Sequence, residues 1–316
     1  MKIMKKIKFI LMFIFIFILA SCNKLEEKEY QLFSMDTIIN IKIYNDNDFD
    51  IHKKEIKKIY DNINNLTDDF SEDGKVYILN KNREIDYNID LANIINLSLE
   101  IKEKTNGYFN PLIGRLSHKW KEAISNKEIL DNSVIEEELN IINNSSISID
   151  ENKIKLIGDA NLDLGGIAKG YATELAKKYL DSEGVKYYLI NAGSSNICGT
   201  TKINKPFNLL IEEPFLERSY YDYKIKLENK SIATSSPKYQ YMLKNDIKYH
   251  HLISPFTGMP INYYSSVSVI GSDNAIADAL STTFFLMKKE EIDEMINKFE
   301  GYQYLLCSDN EVLYKS

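Results

Sequence analysis

The chain has 316 residues, 44% of them apolar, which is enough to bury a real core in one large domain or two lobes and excludes a small scaffold stapled by disulfides. Its 39 Lys and Arg stand against 46 Asp and Glu, a formal net charge of −7, and a balance this acidic excludes nucleic acid as a natural partner. Away from the N-terminus there are two cysteines, Cys198 and Cys307, which can pair or stay as free thiols, and no Cys/His spacing suited to a metal site.

The N-terminus reads as a targeting segment. Lys2, Lys5, Lys6 and Lys8 form a positive n-region before the apolar run from Phe9 to Ala20, which is too short for a comfortable membrane span. It ends in Leu19-Ala20-Ser21-Cys22, which resembles a bacterial lipobox with Cys22 as the lipidated mature N-terminus. Residues 1–21 are then a signal peptide, residues 22–29 a polar lipidated tether, and residues 30–316 a single folded domain. The mature chain, having lost four lysines and no acids, carries a formal charge of −11. More than one acyl chain, at about 0.8 kcal/mol per buried methylene, anchors such a protein stably without a spanning helix. The expected location is the outer face of a bacterial cytoplasmic membrane or the periplasm.

The folded part is expected from about Tyr30. Alternation of Ile39, Ile41 and Ile43 predicts a strand over 38–44 with one buried face, and Ile56, Ile59, Ile63 and Leu66 recur at helical spacing. Residues 67–80, with Phe70 and Gly74, read as a loop, and a second helix is expected from Asp90 to Lys104. Two glycines and a proline break it at Gly107-Tyr108-Phe109-Asn110-Pro111-Leu112-Ile113-Gly114, a segment open to two readings: a buried turn, or an aromatic wall for a planar ligand. Residues 121–159 give a charged helix around Val134 to Leu139 and a strand pair, 146–149 and 153–157.

Asp163-Leu164-Gly165-Gly166-Ile167-Ala168-Lys169-Gly170 leads into a helix expected over 171–180. Paired glycines before a helix N-terminus suit an anion, yet the spacing matches neither a P-loop nor a dinucleotide fingerprint, and a glycine turn that packs a helix tightly on a strand fits equally well. Strands follow at 186–191, 207–211, 223–227 and 231–236. In His250-His251 the two side chains on extended chain point to opposite faces, so at most one serves a given site. After a strand at Val267 and Val269, the helix 273–287 places Asp278 and Thr282 on one face, a carboxylate and a hydroxyl suited to a hard cation. A last helix, 290–299, and strands at 302–306 and 312–314 complete a mixed α+β chain of largely antiparallel sheets with packed helices.

Taken together, Ser34-Met35-Asp36-Thr37, Tyr108-Phe109-Asn110-Pro111, Asp163 to Gly170, Asn191-Ala192-Gly193, Ala233-Thr234-Ser235, His250 to Gly258 and Ala277-Asp278-Ala279-Leu280-Ser281-Thr282 resemble, in order and spacing, the FAD:protein FMN transferases of the ApbE family, many of which are lipoproteins. The resemblance spans roughly Met35 to Met287. It implies a T-fold-related, two-lobed fold with a flavin cleft. It also implies a Mg²⁺-dependent enzyme that splits FAD, attaches FMN through a phosphoester to a threonine of an acceptor protein such as a membrane redox-complex subunit, and releases AMP. By the same resemblance the metal set is Gly166 (through its carbonyl), Asp278, Ser281 and Thr282. The FAD set is Met35, Phe70, Tyr108, Phe109, Asn110, Asp163, Lys169 and Ile253, and His251 is the catalytic base. An FAD pyrophosphatase giving FMN and AMP, and a tethered FAD-binding lipoprotein without turnover, are the alternatives. Three positions depart from the family pattern: Ser254 replaces an Asp that follows the histidine pair, Asn110 replaces a frequent Asp, and Ser194 stands where a second glycine is common.

Overall fold

A computed structural model describes residues 26–44, 46–193, 195–201, 205–212, 220–238, 240–308 and 312–315. The leader and Cys22, and Ser194, lie outside the described residues.

The chain opens with a hairpin, β1 (Glu27–Ser34) and β2 (Thr37–Tyr44), whose two-residue turn puts both Met35 and Asp36 at positive φ, +52° and +55°. That is the turn whose twist matches paired strands. Tyr30, Leu32 and Ser34 alternate inward, so strand begins at Glu27, three residues ahead of the expected onset. Helix α1 (Phe49–Thr67) buries Ile56, Tyr60, Ile63 and Leu66 along one stripe, as its sequence period requires. The segment expected as loop contains a short helix, α2 (Lys75–Asn82); with only Val76 and Leu79 buried it has no periodic stripe to read. The short strand β3 (Glu84–Asp86) leads to α3 (Ile89–Lys104), whose Asn88 side chain accepts the Leu91 N–H at 3.0 Å as an N-cap.

Next come α4 (Gly114–Asn126), which was not expected, and α5 (Asn132–Asn143). Leu116, Trp120 and Ala123 form the buried stripe of α4, hidden in sequence by the charged residues between them. Strands β4 (Ser146–Ile149) and β5 (Lys153–Ile157) complete a three-stranded sheet in the order β3-β5-β4. Helix α6 (Ala168–Ser182) begins three residues earlier than its sequence suggests, so Gly170 lies inside its first turn. Strands β6 (Tyr188–Ala192), β7 (Asn196–Gly199), β8 (Phe207–Glu212), β9 (Tyr220–Leu227), β10 (Lys230–Ser235), β11 (Tyr241–Lys244), β12 (Ile247–His250) and β13 (Ser266–Gly271) follow. The chain then runs through α7 (Asn274–Phe285), α8 (Lys289–Met295), a 3₁₀ turn (Ile296–Lys298), β14 (Gln303–Cys307) and β15 (Val312–Lys315).

One eight-stranded sheet, ordered β1-β2-β6-β7-β10-β13-β14-β15, organises the molecule, and its neighbouring strands pair antiparallel. The period of two divides its residues between two faces. Ala233, Val269, Tyr304 and Leu306 pack with Leu280 and Phe284 of α7. Their neighbours Ile232, Ile270 and Leu305 point the other way, onto Phe207, Ile225 and Leu227 of the β8–β9 hairpin. A separate cluster joins Leu116 and Trp120 of α4 and Ile135 of α5 to Met242 and Tyr249 of the β11–β12 hairpin. Cys198 and Cys307 are both buried as free thiols. No helix among the described residues is long and apolar enough to cross a membrane.

Candidate active site

The glycine stretch meets α7 edge to edge. A Cβ on Gly170 would lie 2.5 Å from Asn274 O and 2.5 Å from Asp278 Cβ, so only glycine lets the first turn of α6 approach α7 this closely. The approach creates a specific bond: Gly170 N–H, one of the unpaired donors at the helix start, donates to Asp278 Oδ2 at 2.8 Å. Asp278 is only 7% exposed, and burial pushes its carboxyl up to about 6, while Lys169, the Gly170 N–H and the Asn196 side chain pull the other way. A buried carboxylate whose ionised form burial still disfavours fits a cation as a further partner.

The hydroxyls beside it form an ordered chain. Ser281 Oγ donates to Asp278 O at 2.9 Å, so its contact with Ser235 Oγ at 2.8 Å must be an acceptance. Each hydroxyl has one hydrogen, so Ser235 in turn accepts from Thr282 Oγ1 at 3.1 Å. Both Thr282 lone pairs are thereby left for a ligand, whereas the fully buried Ser281 is engaged at both ends and stands behind Thr282. Gly166 completes the group: a Cβ there would lie 3.2 Å from Phe109 Cε2 and 3.6 Å from Thr282 Oγ1, which brings its main chain beside Thr282. One carboxylate oxygen, a hydroxyl and a main-chain carbonyl are hard oxygen donors of the kind Mg²⁺ prefers. No group of three or more His, Cys, Asp or Glu that could hold a metal occurs among the described residues.

Lys169 ties this group to the rest of the site. Its Nζ donates to Ser195 Oγ at 3.1 Å, and its charge acts on both Asp278 and His251. His251 is half-buried; desolvation first, then the charges of Lys121 and Lys169, lower its pKa to about 4 against its hydrogen bond to Gln240 O and the charge of Asp163. The imidazole is therefore neutral near pH 7 and free to take a proton. Its neighbour His250 is fully buried: Nδ1 accepts from Leu252 N–H at 3.2 Å, which leaves Nε2–H to donate to Ile261 O at 3.1 Å. One histidine is thus locked into the fold, while the other stands under the charges of Lys121, Asp163 and Lys169.

Loops fix the remaining residues. Asp163 Oδ1 accepts from Gly165 N–H at 2.8 Å, and Asp163 N–H donates to Pro111 O at 2.8 Å, joining the glycine stretch to the Tyr108–Gly114 segment. Asn110 Oδ1 accepts from Leu112 N–H at 3.1 Å, a turn bond that a carboxylate would make equally well. Phe109 is buried against Gly166, while Tyr108 donates to Glu291 Oε1 at 2.7 Å and meets Phe256 edge to face at 4.8 Å. Met35 sits in the β1–β2 turn, next to the Gly193 loop, where Gly193 N–H donates to Ile38 O at 3.1 Å. Phe70 stands 59% exposed on its own loop. Ile253 turns its side chain away, into the Trp120 cluster. Ser254 Oγ accepts from Phe256 and Thr257 N–H at 3.2 and 3.3 Å, so it caps a turn and leaves His251 to other partners. Sequence reasoning gave no role to Ser235, Asn196, His118 or Lys121; only the hydroxyl run ending β10 hinted at the first.

The sequence profile of the ApbE family matches residues 35–306. An FAD:protein FMN transferase from Vibrio cholerae is 25% identical over 287 residues, covering 86% of this chain and 85% of that protein. One from Haemophilus influenzae is 25% identical over 321 residues, covering 94% and 92%. Among solved structures, the ApbE protein from Thermotoga maritima superposes with a TM-score of 0.80 at 24% identity, over 89% of this chain and 94% of that one. The flavin transferase ApbE from Vibrio cholerae gives 0.78 at 21%, over 92% and 97%. The α+β architecture of antiparallel sheet and packed helices is thus the one these structures share, and the family match spans every element that builds the site. The chain belongs to the ApbE family.

Proposed function

We infer that this chain is an FAD:protein FMN transferase that uses Mg²⁺ and an acceptor threonine. The observation that carries the reading is the convergence on one site of a buried carboxylate held by Gly170, a lysine acting on both that carboxylate and a neutral histidine, and a hydroxyl with its lone pairs free. In the reaction the threonine oxygen bonds to the FMN phosphorus, the bond from that phosphorus to the bridging oxygen breaks, and AMP departs with that oxygen. His251 takes the hydroxyl proton, which a weak nucleophile needs removed. Lys169 offsets charge on the diphosphate, and Asp278, Thr282 and the Gly166 carbonyl would hold Mg²⁺. When bound, the cation supplies positive charge at the phosphate oxygens, the main requirement of phosphoryl transfer.

The same reading makes Cys22 the lipid attachment point. With β1 starting at Glu27, only a few residues separate the lipid from the sheet, which would hold the enzyme close to the outer face of the membrane, beside membrane-bound acceptors.

The test is to incubate the protein with FAD and Mg²⁺, with and without a threonine-bearing acceptor, and follow AMP release and covalent flavin fluorescence. Labelled acceptor with stoichiometric AMP is expected; AMP without label in either tube would replace transfer by hydrolysis. Asp278→Ala should lower cation-dependent turnover by about two orders of magnitude or more. His251→Ala should reduce kcat far more than FAD affinity, and an equal loss of both would remove it as the base.

A further inference from the structure

Phe70 is a large, exposed aromatic on a loop that is held rigidly. Asp68 Oδ1 accepts from both Phe70 N–H and Ser71 N–H, at 2.8 and 3.0 Å, and Asp68 O accepts from Tyr77 N–H at 3.0 Å, tying the loop to α2. The ring is then clamped from α4. His118 stacks on it with centroids 4.4 Å apart and planes 11° from parallel, and Lys121 Nζ lies 4.6 Å from the ring centroid. His118 is itself fixed by Asp69, Nε2 to Oδ2 at 2.6 Å. His118 and Lys121 are three apart and so share a face of α4. The Phe70 side chain is still 59% exposed.

A rigidly held, exposed aromatic ring offers a planar ligand a stacking surface at little ordering cost. Lys121 adds a second peculiarity. In an acidic chain whose lysines are widely ion-paired, it has no carboxylate partner among the described residues. Its charge instead reaches His251, on which Lys169 also acts. Both Lys121, which lies against the Phe70 ring, and Lys169, which interacts with Asp278, thus act on the base.

We propose that His118 and Lys121 of α4 are substrate-positioning residues: they fix Phe70 as a stacking platform for one ring system of a bound dinucleotide, and Lys121 adds a positive charge beside it. The proposal rests on the dinucleotide reading above. It assigns α4 a share of substrate binding that the glycine stretch and α7 do not supply. A ring of the ligand would stack on Phe70, and the charge of Lys121 would favour a ligand that also carries anionic phosphates.

The test uses the full chain with Lys121→Ala, Lys121→Arg and His118→Ala. FAD affinity is read from flavin fluorescence, KM and kcat from AMP release, and stability from Tm. Lys121→Ala should weaken FAD binding and raise KM about tenfold with kcat within about twofold, as loss of a cation over an aromatic ring and a phosphate implies. Lys121→Arg, which keeps the charge and stacks on the ring, should stay within about threefold of the parent. His118→Ala should weaken FAD binding without a matching fall in Tm. The parent's affinity should also decline more steeply with salt than that of Lys121→Ala. Unchanged FAD affinity in Lys121→Ala, or failure of arginine to restore it, would overturn the assignment. If the parent binds FAD but releases no AMP, the transferase reading falls while the affinity comparison still decides the role of α4; a parent that binds no FAD sinks both.

Discussion

Gly170→Ala is the sharpest probe of how the site is built. The added Cβ would lie 2.5 Å from Asn274 O and 2.5 Å from Asp278 Cβ, where carbon contacts normally need about 3.5 Å or more. Helices α6 and α7 would have to part by about 1 Å. Overpacking of this kind costs about 1–3 kcal/mol. The same movement stretches the 2.8 Å bond from Gly170 N–H to Asp278 Oδ2 out of range, leaving a buried carboxylate short of a donor at a further cost of about 1–3 kcal/mol. Alanine returns about 1 kcal/mol through its better helix propensity. The net loss is about 1–5 kcal/mol, which lowers Tm by roughly 2–8 °C for a chain of this size. Because the displaced atom is the carboxylate of the reacting site, turnover should fall about a hundredfold, the scale of a misplacement near 1 Å. Differential scanning calorimetry and AMP release at saturating FAD measure the two effects. A variant with Tm within about 1 °C and activity within about twofold of the parent would refute the close packing and the bond together.

Two further substitutions test neighbouring claims. His250 is buried with its pKa lowered to about 4, so the unfolded chain binds the extra proton between pH 6.5 and about 4, and the parent loses stability as pH falls through that window. Relative to His250→Gln the loss should reach about 3 kcal/mol near pH 4, measured by urea unfolding at stepped pH; a constant difference would mean the ring is not held neutral. Ser254→Asp should leave FAD turnover within about threefold, because a carboxylate can accept the Phe256 and Thr257 N–H groups as the hydroxyl does. A large gain would show that the family carboxylate acts on the histidine after all.

Much of this was legible in the sequence because period and spacing are physical. The alternating isoleucines of β2 and the stripe of α1 follow from one buried face each, and Asp278 and Thr282 had to share a side of α7. The misses have equally physical causes. Helix α2 is eight residues with two buried side chains, too few to set a period, and β1 carries charged and polar residues on its outward face. The role of Ser235 depends on a proton chain with Ser281 and Thr282 that joins β10 to α7, 46 and 47 residues apart, which no local pattern can reveal. Likewise, His118 and Lys121 acquire meaning only when the Phe70 loop folds back onto α4.

The glycine stretch shows why an ambiguous motif could not be resolved locally. Read alone, Asp163 to Gly170 offered either an anion site at a helix start or a tight packing turn. Both descriptions apply, and they are one feature. The packing that excludes a Cβ at Gly170 is what brings a carboxylate onto its N–H, so the anion that the helix start receives is Asp278, from the chain itself. With that donor spent on Asp278, the diphosphate must draw its positive charge from elsewhere. Lys169 stands next to it in sequence, Lys121 also acts on His251, and Asp278 and Thr282 would hold a cation. The helix dipole therefore acts on the substrate indirectly: it helps keep a buried aspartate ionised, and the ionised aspartate is what makes a cation site possible.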